Sequence, residues 1–256
     1  MNLKFRFVNK ADQDVTVIYI DGTIGRDIWE EWMTGKKSEN TIEEFRKKLA
    51  EVTTTAVHVI VNSFGGSLRD GISIMDEIYK FQGDVETYIE GMTASSGSII
   101  PQGAKKGKRK MSKNALLLIH QVMLPVCEWL NQNKADIYLK DLQKTSDHVA
   151  GIYADRSGKD KQYFIDLMNQ ANGDGVWLTA DEALEHGLID EIVDYAHDAG
   201  EGDNGSEDSV QNIAGMELIH AAQSLPPIPE EKLAALSARD ARSRQIQLLM
   251  LKRKAS

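Results

Sequence analysis

The chain has 256 residues, 41% hydrophobic and 27% charged, with a formal net charge of −9. This composition excludes wholesale disorder and a collagen-like fibre, and with no run of about 18 apolar residues it excludes a bilayer-spanning helix. The lone cysteine, Cys127, excludes an internal disulfide and a cysteine-built zinc site, and the acidic balance argues against general nucleic-acid binding, which needs a basic face for phosphates.

The elements follow in chain order. Met1 to Phe7 lacks the apolar stretch of a secretory signal. Together with the lone cysteine, this gives the expectation of a cytoplasmic protein without membrane attachment. Val15 to Ile20 is β-branched and stops at Asp21-Gly22, which reads as a strand and a turn. Thr41-Ile42-Glu43-Glu44 has the form of a capping box and opens a helix with Ile42, Phe45 and Leu49 on one face. Val57 to Val61 is a short, mostly apolar strand of the kind covered on both faces of a sheet. It runs into Asn62-Ser63-Phe64-Gly65-Gly66-Ser67. Ile72, Met75, Ile78 and Tyr79 then recur at helical spacing.

Val85 to Glu90 is another strand, leading to Gly91-Met92-Thr93-Ala94-Ser95-Ser96-Gly97 and an apolar helical turn. Leu116 to Ile119 is a strand that ends at His120. A long helix is expected from about Lys134 to Arg156, with Leu139, Leu142, Val149, Ile152 and Tyr153 as its apolar residues. Shorter helices are expected over 159–168 and 180–186, and a closing strand over Ile189 to Val193. Strands alternating with helices predict an α/β domain with mainly parallel pairing. Residues 197–209 hold five acids and no Lys or Arg, and they read as a flexible acidic linker. Residues 210–256, with seven Lys/Arg against four acids, read as a tail with short helices.

Three strand ends carry unusual residues. The Gly65-Gly66 pair lets backbone N–H groups approach a ligand closely, or it is a plain turn. Ser95 and Ser96 stand at a helix start, where a serine gains from the dipole and N–H groups can hold an oxyanion, or where it merely caps the helix. His120 could be structural, with Gln121 beside it in a surface cluster. No histidine pair has metal-ligand spacing on a helix, so no metal site is expected. Closing successive strands, the three features would meet at the carboxyl edge of one sheet. Serine, histidine and backbone donors are the parts of an acyl-transfer site.

Val61 to Ser67, Thr93 to Gly97, Gly103 to Arg109, Ile119-His120-Gln121 and the closing Trp177 to Asp190 resemble, in order and spacing, the proteolytic subunit of Clp proteases. With Trp177 before its Thr-Ala-x-Glu-Ala helix, the sequence is similar above all to the Clp-like proteases of phages and prophages. The resemblance implies an α/β spiral of ββα units shared with crotonases, assembled into a homo-oligomeric ring, so the chain is expected as a catalytic domain over 1–196 followed by the helical or flexible C-terminal tail. It makes Ser95 the nucleophile, His120 the general base, and Gly66 and Ser96 the oxyanion-hole donors. The long helix would be the handle joining rings. Phe64 stands where the family usually has Pro, and Ser96 where Met is common. Gly175 falls at the triad acid's position, so Asp174 beside it is expected to fill that role, the alternative being a turn residue in Asn172-Gly173-Asp174-Gly175. The resemblance implies no cofactor and polypeptide substrates, among them capsid or scaffold proteins cleaved in head maturation in a host cytoplasm. The alternatives are a subunit gated by a Clp ATPase, a crotonase-like acyl-CoA enzyme and an inactive shell protein. The basic run from Lys105 to Lys113 is read as a solvated loop or subunit contact rather than a nucleic-acid site.

Overall fold

The structure, a computed structural model, describes residues 6–10, 14–26, 31–33, 35, 37, 38 and 40–195. The linker and tail expected over 197–256 lie outside the described residues. The strands form two sheets. The larger holds β1 (Arg6–Lys10), β2 (Val15–Ile24), β3 (Ala56–Gly66), β4 (Asp84–Ile89), β6 (Arg109–Ser112) and β9 (Glu191–Val193), in that spatial order. Only the β1–β2 pair is antiparallel. The smaller holds β5 (Met92–Ala94), β7 (Leu116–Ile119) and β8 (Val176–Leu178), with β5 and β7 parallel and β8 antiparallel to β7. The helices are α1 (Ile42–Leu49), α2 (Leu68–Lys80), α3 (Ser96–Ile99), α4 (Gln132–Ser157), α5 (Lys161–Met168) and α6 (Ala180–Glu185). Strands β4 and β6 each continue, after a short link, into a strand of the smaller sheet and then a helix. This is the ββα repeat expected of the fold.

Several local expectations change. Strand β3 is eleven residues long and carries the Gly65-Gly66 pair as its last two residues, not in a loop after it. Its side chains alternate between buried and half-buried. It is therefore covered fully on one face only, and His58 and Ile60 lie on the other. The capping box at α1 keeps one arm, from the Glu44 N–H to Thr41 Oγ1. The Ile42 N–H, the first of the helix, donates to buried Asp70, which reaches over from α2. On α2 the fully buried residues are Asp70, Gly71, Ile74 and Ile78, whereas Tyr79 is exposed. Helix α4 buries Ser146, Val149, Ala150 and Tyr153 in its second half, while Ile137 and Leu139 in the first half face solvent.

The apolar interior falls into two clusters. One lies around β2, β3, α1 and α2, with Ile18, Ile20, Phe45, Val59 and Ile74 at its centre. The other lies between β7, α4, α5 and α6, around Leu117, Ile119, Tyr153, Phe164 and Leu188. The basic run is not a solvated loop throughout. Arg109 is buried and forms a two-pronged pair with Asp190, while its Nη1 donates to Gln102 and to the Gly187 carbonyl. Lys108, Lys110 and Lys113 are paired with Asp84, Glu86, Glu191 and Asp194. Among the described residues no helix is long and apolar enough to cross a membrane.

Candidate active site

Ser95 follows β5 directly and His120 follows β7 directly. The two strands are parallel neighbours in register, Ala94 opposite Leu118, and the Ser95 N–H donates to the Leu118 carbonyl at 3.2 Å. Parallel pairing brings the two strand ends side by side. The expectation of a single sheet edge is corrected on one point: Gly65 and Gly66 end a strand of the larger sheet, while Ser95 and His120 end strands of the smaller. The site forms where the two sheets meet.

That meeting is held by small polar side chains. Thr93 Oγ1 donates to the Val61 carbonyl at 2.9 Å, and Asn62 Oδ1 accepts from the Met92 N–H at 3.2 Å. Ser63 Oγ donates to the Gly22 carbonyl and accepts from the Gly65 N–H at 3.0 Å, so the glycine pair is pinned from below. Gly65 has φ +90, and a Cβ there would stand 2.6 Å from Ser95 Cβ and 2.9 Å from Ser96 N. Only a residue without a side chain permits this approach. Gly66 has φ +145 and lies exposed at the rim.

Ser95 has φ 57 and ψ −130. A non-glycine residue at positive φ carries strain on the order of 1–3 kcal/mol and persists only where its surroundings hold it. It is held through its carbonyl, which accepts from the Ser98 N–H at 3.0 Å and from Ser98 Oγ at 2.5 Å. Ser96 follows as the first residue of α3 and is 2% exposed. Its Oγ is buried and unpartnered.

A cavity of about 420 Å³ opens at this point, bounded by Gly65, Gly66, Ser95, Ser96 and His120 on its polar side. Ile99, Val122, Met123 and Val149 make much of the remainder apolar. The structure therefore brings Ser95, His120, Gly66 and Ser96 around one space. Asp174 is not among the residues lining it. That aspartate is exposed, and its side chain makes no hydrogen bond or ion pair with the described residues. The acceptor on His120 Nδ1 is the carbonyl of the next residue, Gln121, at 2.5 Å.

Gly175, not Asp174, touches the histidine. A Cβ on Gly175 would lie 1.9 Å from the Ile119 carbonyl oxygen and 2.6 Å from His120 Cα. The Gln121 N–H donates to the Gly173 carbonyl at 3.2 Å, and the Gln121 side chain donates to Asn169. The loop thus sits on the histidine through its backbone. The sequence reading missed Ser98, Tyr153 and the Gln121 carbonyl. Ser98 lay in plain view in the small polar run after Ser95, but its partner Tyr153 is 55 residues away.

The family model for Clp protease matches residues 32–196. A relative named ATP-dependent Clp protease proteolytic subunit, from Streptococcus sanguinis (strain SK36), is 34% identical over 169 residues, covering 64% of this chain and 84% of the relative. The protein of the same name from Streptococcus uberis (strain ATCC BAA-854 / 0140J) is 36% identical over 167 residues, covering 63% and 83%. The one from Lactococcus lactis subsp. lactis (strain IL1403) is 37% identical over 145 residues, covering 57% and 71%.

Proposed function

The chain belongs to the Clp protease family, and from that premise we propose that it is a serine endopeptidase that cleaves polypeptides through an acyl-enzyme on Ser95. The observation that supports this reading is the shared cavity, lined by Gly65, Gly66, Ser95, Ser96 and His120. His120 takes the proton from Ser95 Oγ as the hydroxyl attacks the scissile carbonyl, and returns it to the leaving amine. The N–H groups of Gly66 and Ser96 receive the oxyanion, where removing one donor costs on the order of 3 kcal/mol.

The imidazole tautomer follows from the Gln121 carbonyl, an acceptor that requires the hydrogen on Nδ1 and leaves Nε2 free to act as base. We therefore write the site as a Ser95–His120 dyad. Asp174 completes a triad only if its loop turns one residue toward the ring.

We assign the catalytic domain to residues 1–196, followed by the acidic linker 197–209 and the tail 210–256. Exposed Met123, Leu124, Trp129, Leu130, Ile137 and Leu139 support assembly into a homo-oligomer, with Trp129 93% exposed. Two settings compete. The printed name of the relatives supports coupling to a Clp ATPase. The phage-type pattern at Trp177 supports head maturation, with capsid or scaffold proteins as substrates. Co-purification with a Clp ATPase would favour the first, and cleavage of a capsid protein without nucleotide would favour the second.

The decisive experiment on the chemistry is labelling with a fluorophosphonate. A stoichiometric adduct on Ser95, absent after Ser95→Ala and slowed by His120→Ala, is the expected result. An assembled protein that stays unlabelled would remove the peptidase reading.

A further inference from the structure

Ser98 and Tyr153 form a buried polar pair beside the nucleophile. Ser98 Oγ and the Tyr153 hydroxyl are 2.7 Å apart, and Ser98 Oγ is 2.5 Å from the Ser95 carbonyl oxygen. Both residues are closed off from solvent, Ser98 completely and Tyr153 at 2% exposure. The direction of the bonds follows from counting hydrogens. A carbonyl only accepts, so the single hydroxyl hydrogen of Ser98 goes to Ser95, and the phenol must donate to Ser98. Burial pushes the Tyr153 phenol above its usual range. Near neutral pH the phenol is therefore a neutral donor. Its ring is seated against Phe164 of α5, 5.7 Å away between centroids.

The peptide unit between Ser95 and Ser96 is planar and trans, so its C=O and N–H point in opposite directions. Two bonds from Ser98 draw the Ser95 carbonyl inward, over the first turn of α3. The Ser96 N–H must then point the other way, and Ser96 N does lie against Gly65, where a Cβ would come within 2.9 Å. The pair also spans elements: Tyr153 comes from α4, Ser98 from α3, and the carbonyl they hold from the end of β5.

We propose that Tyr153 and Ser98 are positioning residues for the acyl-transfer centre, acting in series to lock the Ser95–Ser96 peptide plane and so aim the Ser96 N–H at the developing oxyanion. This rests on the reading of Ser95 as nucleophile and goes beyond it, because neither residue touches the reacting atoms. A bond that aims a transition-state donor should affect turnover and leave substrate binding alone.

The test uses the full chain in its assembled form, as Ser98→Ala, Tyr153→Phe and the double variant. Each is read by kcat and KM on a fluorogenic peptide, by the rate of fluorophosphonate labelling, and by the melting temperature. Complete loss of an oxyanion donor lowers kcat by about 10²–10³-fold. A donor mis-aimed but still present should lose less, about tenfold in kcat, with KM within about twofold. Because the bonds are in series, the double variant should be no slower than Ser98→Ala. Wild-type kcat in both single variants overturns the proposal. So do losses that multiply in the double variant, a rise in KM equal to the fall in kcat, or melting of both single variants at the assay temperature. If the wild-type protein itself is never labelled at Ser95, the failure lies with the peptidase reading; normal labelling of wild type and variants alike sinks only the positioning role.

Discussion

Replacing Gly175 by alanine should damage the site from outside the cavity, by an amount that follows from the geometry. Gly175 has φ +81, in the left-handed region. An alanine there pays about 1–2 kcal/mol for the backbone conformation alone. Its Cβ would sit 1.9 Å from the Ile119 carbonyl oxygen, so reaching an ordinary contact requires the end of β7 or the loop to move by about 1.5 Å. The obstructing atoms are backbone, and no rotamer change relieves them. Overpacking of this kind costs about 1–3 kcal/mol. The sum, roughly 2–5 kcal/mol, is a large share of the 5–15 kcal/mol that typically separates folded from unfolded states. The displacement falls on His120, because Ile119 pairs with Val176 on β8 and Gln121 is bonded to Gly173. A misplacement of about 1 Å in a catalytic group can cost about 10²-fold in rate. The assay is urea unfolding together with the rate of fluorophosphonate labelling, measured where the variant is still folded. The expected result is a lower midpoint and labelling slowed by about 10²-fold. Gly175→Asp should behave no better, because the clash precedes any benefit from the carboxylate. A Gly175→Ala protein with wild-type midpoint and labelling rate would refute this account of how the histidine is held.

Three further outcomes follow from other parts of the structure. Asp174→Asn should change stability by no more than about 0.5 kcal/mol, since the residue is exposed and unbonded; labelling should stay within about threefold, whereas a loss approaching the ~10⁴-fold seen when a triad acid is neutralised would give Asp174 the third role. Burial raises the Glu86 carboxyl, but hydrogen bonds from Tyr88, Lys110 and Lys108 prevail and hold it at about 2; its stabilisation is present above the unfolded value near 4.5 and is lost as pH falls toward 2, so melting temperatures of wild type and Glu86→Gln should differ at pH 7 and converge on acidification. Asp190→Ala leaves the buried Arg109 guanidinium without its two-pronged partner, and denaturant unfolding should report a loss of about 3–5 kcal/mol, with Arg109→Met in the same chain restoring part of it.

Strands β2, β3 and β4 of the larger sheet were legible because they are long enough to show a pattern, whereas β1 and β6 were not expected. Val15 to Ile20 and Val57 to Val61 carry β-branched residues in runs that only a strand accommodates. Strand β5 has three residues, too few for any period to appear, and so the sequence shows only one strand, ending at Glu90, before Ser95. The two-sheet construction of the site was hidden for that reason, although Ser95 and His120 were each placed correctly at the end of a strand. Helix α4 misleads in another way. Its apolar residues run the whole length, but only those from Val149 onward reach the core, and the period cannot tell a core face from an exposed apolar one. The Gly175 problem was visible as a missing acid. Its solution was not, because the contact of a glycine with the backbone of a residue 55 positions earlier leaves no trace in side-chain chemistry.

The same limit explains the small polar residues around Ser95. Read along the sequence, Asn62, Ser63, Thr93 and Ser98 carry no assigned role. In the structure Asn62, Ser63 and Thr93 bond the end of β3 to its surroundings, and Ser98 bonds the Ser95 carbonyl. A parallel pair as short as β5–β7 cannot hold a strained residue with its ladder alone, because three paired positions supply few hydrogen bonds. Buried hydroxyl and amide groups add bonds at fixed angles where apolar groups would add only non-directional burial. Each such group must be satisfied to be worth its desolvation, and the hydroxyls of Ser63, Thr93 and Ser98 all are. Ser96 is the exception, with a buried and unpartnered Oγ. Its side chain faces Gly71 of α2, where a Cβ would come within 2.8 Å of its own. The backbone N–H is therefore the part of Ser96 that the chemistry can use, and the identity of its side chain matters through fit against Gly71 rather than through its hydroxyl.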